Sequence, residues 1–260
     1  MRVYWEVARS TYRRYSTYRL AMAAGLFTNI VFGFLRAYVL LALWRTRPHL
    51  GGYTSHQAVL FTFITQGLLA PIAVFGQGLA LSDRIRTGDV AIDLFRPMDF
   101  QGYWLAGDLG RAAVELLGRA VVPIAVGALA FSLSLSTSPL RWLVFLTSVL
   151  LAVLVSFGVR YLVALTGFFL LDARGPQVLT LMIGSFFSGM YLPLVIFPGW
   201  LGTLARLLPW AAILQVPADL LMGTEHPAAL GFQAGWAVVL LAAGRLATRA
   251  VRHRVVAQGG

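Results

Sequence analysis

The chain has 260 residues, 58% of them hydrophobic and only 12% charged, with a mean hydropathy of +0.76 and a formal net charge of +11. Soluble domains carry roughly half apolar and a quarter charged residues, so this composition excludes an ordinary soluble fold. Cysteine is absent, which removes disulfides, thiolate metal sites and thiol nucleophiles and leaves the redox compartment undetermined.

The first nineteen residues predict an interfacial helix. At 100° per residue Tyr4, Ala8, Tyr12, Tyr15 and Tyr18 fall on one side, and Arg2, Glu6, Arg9 and Arg13 on the other. The apolar run that follows continues to about Trp44, too long for the core of a signal peptide, so no cleavage is expected.

A membrane-crossing helix needs about 20 mostly apolar residues, and bilayers accept only helices or closed barrels. Six runs meet that length without period-two alternation: 20–44, 57–81, 113–135, 141–169, 178–197 and 228–248. The expected fold is an all-α integral membrane bundle forming a single domain over residues 1–260. Positive charge near span ends is retained on the cytoplasmic side. Fifteen arginines, including Arg249, Arg252 and Arg254, fall on the side of the N-terminus, against Arg45, Arg47, Arg141 and Arg206 on the other. Both termini are therefore expected in the cytoplasm. The net charge then reads as topology and attraction to membrane lipid, with no need for nucleic acid.

The connection over residues 82–102 predicts a short helix beyond the membrane. Gly88 can end a preceding helix, Asp89 can cap a new one, and Pro97 stops it after about two turns. The segment 190–226 must break, because Pro193, Pro198, Pro209 and Pro217 interrupt it at intervals too short for a straight span. Trp200 and Trp210 suit a membrane interface. Two arginines lie inside spans, Arg36 in the first and Arg160 in the fourth, and charge there is costly enough to make each a functional candidate. Either lines a pathway or is structural: Asp108 and Glu115 can pair with Arg160, and Arg36 can snorkel toward headgroups. Small residues such as Gly25, Gly33, Gly127, Gly158, Gly167, Gly184 and Gly189 suit close helix packing in lipid.

Enzyme chemistry finds little footing. All 21 basic residues are arginine, so a phosphate-binding P-loop, which needs lysine, is excluded. His49, His56, His226 and His253 have no metal-ligand spacing, and no G-x-S-x-G or H-E-x-x-H pattern occurs; Ser132, Ser134 and Ser136 alternate where small polar residues pack or cap.

The run Gly88-Asp89-Val90-Ala91-Ile92-Asp93-Leu94-Phe95-Arg96-Pro97-Met98-Asp99 and the later Ser188 to Leu201, followed by Leu208-Pro209, Gln215-Val216-Pro217 and Gly223, resemble segments of ABC-2 type ABC transporter permeases. The resemblance covers essentially the whole chain. It implies a non-enzymatic transmembrane subunit in the bacterial inner membrane, paired with a second identical or sister permease. Two cytoplasmic ABC ATPase subunits would bring the only cofactors, ATP and magnesium. It implies ATPase coupling through Gly88, Asp89, Asp93, Arg96 and Pro97. It also implies short re-entrant helices forming an outer gate that includes Leu192, Pro193, Phe197, Pro198, Trp200 and Pro209. Export of an amphipathic or hydrophobic substrate follows from the family. The competing readings are a membrane scaffold or assembly protein without a transport cycle, and an intramembrane lipid-modifying enzyme.

Overall fold

A computed structural model describes residues 2–74, 78–170 and 172–252, and every regular element among them is helical. The chain order is α1 (Arg2–Ser16), α2 (Arg19–Thr46), α3 (Ser55–Ile72), α4 (Leu81–Thr87), α5 (Val90–Leu94) and α6 (Phe100–Glu115). A π-helical turn over Leu116–Ala120 joins α6 to α7 (Val121–Ala130); α8 (Pro139–Leu165), α9 (Gly167–Leu170) and α10 (Arg174–Phe187) follow. The remainder is α11 (Gly199–Leu207), α12 (Gln215–Met222) and α13 (Ala229–Arg252). Arg254, counted above among the positive charges, and His253 lie outside the described residues.

Four of the described helical stretches are long and apolar enough to cross a membrane: Arg19–Thr46, Phe100–Ala130, Pro139–Leu170 and Ala229–Val251. They correspond to the first, third, fourth and sixth expected spans. The third begins near Phe100 rather than residue 113, so the last residues of the expected connector are already helix. The second and fifth expected spans are shorter helices, α3 with 18 residues and α10 with 14.

The difference at α3 has a physical cause. Pro71 sits in its last turn and Ala73 turns left-handed at φ 57°, so the helix ends nine residues before the expected limit at 81. The last carbonyls of a helix lack intrahelical partners, and in lipid they must find others. Arg111 donates from Nη1 to the Ala70 carbonyl (2.9 Å) and from Nη2 to that of Pro71 (3.0 Å), while Ser156 Oγ donates to the Ile72 carbonyl (2.5 Å). A cation at this end also complements the helix dipole. The other end of α3 is closed by a capping box, in which Thr54 Oγ1 accepts from the Gln57 amide (3.2 Å) and Gln57 Oε1 from that of Thr54 (2.8 Å).

Helix α3 is the axis of the bundle. Phe61, Phe63, Ile64 and Leu68 are fully buried, and the core cluster continues through Ala37 and Leu40 of α2, Ala152 and Val155 of α8, and Leu214. In lipid such burial stabilises through close packing rather than through escape from water. By contrast, α2 leaves Phe27, Phe32, Leu35 and Val39 exposed, as a lipid-facing helix would.

Helix α1 lies along α6, with Tyr4, Val7, Ala8, Thr11 and Tyr15 turned inward and half-buried, whereas Tyr12 and Tyr18 face outward. Its packing stripe thus differs from the tyrosine face read from the sequence, because α6 meets it from one side. The contact is so close that a Cβ at Gly110 would collide with the Ala8 carbonyl.

Candidate functional site

Two groups of side chains stand out at the end of the bundle that carries α1, α4 and α5, here the arginine-rich end. The first is the connector. Helix α4 closes on Gly88 at φ 82°, a left-handed geometry glycine adopts without strain. Asp89 follows, but its carboxylate accepts from Thr87 Oγ1 (2.9 Å) instead of capping α5. Helix α5 is then a single short turn, Val90–Leu94, rather than the two turns expected.

Asp93 points inward and its side chain is 1% exposed. Arg84 of α4 holds it through Nε and through Nη2 (3.2 Å), and Arg96 reaches the same carboxylate from Nη2 at 3.2 Å. The hydrogen bond to Asp93 raises the Arg84 pKa above its ordinary value. Arg96 also lies over the Tyr103 ring, 4.8 Å from its centroid. Pro97 is exposed beyond the turn. Asp99 then caps α6, accepting from the Gly102 amide (2.6 Å), and donates its own amide to Tyr4 Oη (3.1 Å), which ties the connector to α1.

Pinning Asp93 inward turns its neighbours out. Phe95 is 88% exposed and Ile92 62% exposed, two large apolar side chains on a connector whose other exposed residues are mostly polar. The sequence reading selected the charged and proline positions and passed over this pair. The signal available was the one-turn spacing, which places residues 92 and 95 together on the face opposite a buried carboxylate.

The second group surrounds Asp108. Arg160 of α8 grips it with Nη1 (3.1 Å) and Nη2 (2.6 Å), and Arg111 with Nε (2.9 Å). Arg160 Nε further donates to Ser156 Oγ (3.2 Å), so α6, α8 and the end of α3 are joined in one buried polar network. Of the two carboxylates expected to meet Arg160, only Asp108 does. Glu115 lies about two helical turns further along and instead accepts from Arg119 (3.2 Å) across the π-helical turn.

Arg36 does not snorkel. It faces the polar stripe of α3, donating from Nη1 to Gln66 Oε1 (2.9 Å) and, at 3.4 Å, to Thr65 Oγ1, while its Nε and Nη2 are buried without a partner. Asn29 joins the same stripe by donating to the Gln66 carbonyl (3.3 Å).

At the opposite end the helix breaks expected before the last span are present. Helix α10 stops at Phe187, Gly189 turns at φ 84°, a 3-10 turn spans Leu194–Ile196, and α11 and α12 follow. Pro193 and Pro209 are buried, and Phe197 is half-buried with its ring 5.0 Å from Phe186; Leu192, Pro198 and Trp200 face outward, Trp200 at 76%. The break is locked by a cluster the sequence reading missed. Gln215 accepts from the Leu194 amide (2.8 Å) and donates to Tyr53 Oη (2.9 Å) and Asp219 (2.8 Å); Tyr53 Oη and Thr224 Oγ1 donate to the same carboxylate. Burial pushes the Asp219 carboxyl up, against these hydrogen bonds, which favour its charged form. The partners come from residues 53 and 215–224, so only the tertiary fold assembles them.

A helical bundle with several membrane-length apolar helices, buried ion pairs between them and a short helical connector at one end defines a polytopic membrane protein. The model of the ABC-2 family transporter proteins matches residues 28–259, and the chain belongs to that family. No curated protein and no solved structure matches the chain. Membership makes it an ABC transporter permease, a class that generally works with an ABC ATPase.

Proposed function

We propose that this chain is the membrane subunit of an ATP-driven exporter of an amphipathic or hydrophobic substrate in the bacterial inner membrane. It crosses the bilayer six times with both termini in the cytoplasm, and α3 and α10 are the two shorter crossings. Two such subunits, identical or sister, form the working unit. A cytoplasmic ABC ATPase docks on the connector and brings ATP and magnesium, since this lysine-free chain has no phosphate-binding loop.

The observation that carries this reading is the connector itself. Asp93 clamped by Arg84 and Arg96 makes α4 and α5 a rigid unit, and Phe95 and Ile92 project from it with none of the described residues covering them. Exposed aromatic and aliphatic anchors of this kind are what a partner pocket buries. A rigid connector transmits displacement of the ATPase to the helices on either side, where a flexible loop would absorb it. The breaks around Pro193 and Pro209 serve as the outer gate.

The test is ATP-dependent substrate uptake into inverted vesicles that contain this chain with its ATPase. A cysteine placed at Phe95, in a chain with no native cysteine, should react with an impermeant maleimide only from the cytoplasmic side. Labelling from outside the cell would overturn the orientation and leave the ATPase no place to dock. Purification of this chain free of any ATPase would favour the scaffold reading.

A further inference from the structure

At the arginine-rich end a cavity of about 1230 Å³ opens between α1, α4, α6, α8 and α10. That is at or above the usual size of small-molecule sites. Among the described residues its wall carries seven arginines against three carboxylates. Those carboxylates are already engaged. Asp108 is shared by Arg111 and Arg160, Glu115 is taken by Arg119, and Asp83 pairs with Arg86 (3.5 Å), which is not part of the wall. Arg84 and Arg96 divide the one carboxylate of Asp93 behind the wall, and Arg174 has only a loose pairing with Asp172 at 3.7 Å. Arg14 has no carboxylate within ion-pair reach among the described residues. Positive charge in the cavity therefore exceeds what the protein itself neutralises.

Two further features point the same way. Trp104 Nε1 and Arg119 Nε are buried donors without a hydrogen-bond acceptor, and both residues line the cavity. Buried donors are nearly always satisfied, so the protein leaves the polar groups of this wall incompletely matched. The wall also includes Val7, Leu69 and Leu79, so it offers apolar as well as cationic surface.

We propose that this cavity binds the phosphate headgroup of an anionic amphiphile. Phosphate oxygens meet the surplus guanidinium charge by fork-like pairing. The acyl portion packs against Val7, Leu69 and Leu79. The assignment deepens the transporter reading by giving its substrate, or its bound lipid, a negative charge, but the binding event stands without any ATPase.

The test uses the full-length chain in neutral detergent, titrated with short-chain phosphatidylglycerol, phosphatidylcholine of the same chain length, and glycerol phosphate, with tryptophan fluorescence as the readout. Phosphatidylglycerol should bind saturably and more weakly as salt is raised, and Trp104→Phe should remove most of the signal. Arg14→Gln combined with Arg174→Gln removes two exposed side chains and should weaken binding by about fivefold per arginine without changing the gel-filtration profile. Competition by glycerol phosphate would assign affinity to the headgroup alone; its absence would assign part of it to the chains. In vesicles with the ATPase, movement of the labelled lipid marks a substrate and retention marks a resident lipid, and both uphold the site. Equal titration by the two lipids, or unaltered binding in the double variant, would overturn it.

Discussion

Arg160 and Asp108 meet through two parallel hydrogen bonds, at 3.1 and 2.6 Å, and Arg111 approaches the same carboxylate from its own helix. One carboxylate is thus shared by two arginines, one of which also closes the broken end of α3. Asp108→Ala leaves both cations buried without a counter-charge. Loss of one member of a buried pair costs about 3–5 kcal/mol, so the thermal unfolding midpoint in detergent should fall by several degrees. Adding Arg160→Met should recover part of the loss, and a double variant no more stable than the single one would show that the two residues are not coupled.

The connector separates residues that shape it from residues that contact a partner. Phe95→Ser and Ile92→Ser change exposed side chains, so stability should move by no more than about 0.5 kcal/mol while ATP-dependent transport falls sharply. Asp93→Ala removes the clamp on α4 and α5, and Arg96→Ala weakens it; both should uncouple ATP hydrolysis from transport in a protein that still inserts. Transport and substrate-stimulated hydrolysis at wild-type levels in all four variants would remove this segment from the coupling route.

Arg36 places a guanidinium in the bundle with two buried nitrogens unpaired. An unsatisfied buried donor costs about 1–3 kcal/mol. Arg36→Met keeps the length and removes the charge, so insertion should be unchanged and the unfolding midpoint higher. A lower midpoint would mean that the bond to Gln66 outweighs the desolvation. Transport measured in the same variant decides whether the charge also serves the pathway.

Burial raises the Asp219 carboxyl above its ordinary value of 3.8. A group that holds its proton more tightly when folded adds stability that is complete below the unfolded value and is lost as pH rises through the folded one. The difference in unfolding midpoint, wild type minus Asp219→Asn, should therefore grow as pH falls from neutrality toward 3.8. Circular dichroism melts of the two proteins across that range provide the measurement, and a difference that shrinks on acidification would show that the hydrogen bonds from Tyr53, Gln215 and Thr224 dominate.

Much of this was legible in the chain alone. The lengths of the apolar runs set the helices of α2, α8 and α13, because a bilayer leaves a long apolar segment no other conformation with its backbone satisfied. Prolines at 193, 198 and 209 announced the break before the last helix, and the Gly88 to Pro97 punctuation announced the connector. What stayed hidden were the ends of α3 and α10, the inward turn of Asp93 and the outward turn of Phe95, and the gathering of Tyr53, Gln215, Asp219 and Thr224. Whether Arg160 would meet Asp108 or Glu115 was equally open. Local sequence sets which backbone groups and charges must find partners, since that demand comes from the solvent. The choice of partner is a property of distance between helices far apart in the chain, and only their packing settles it.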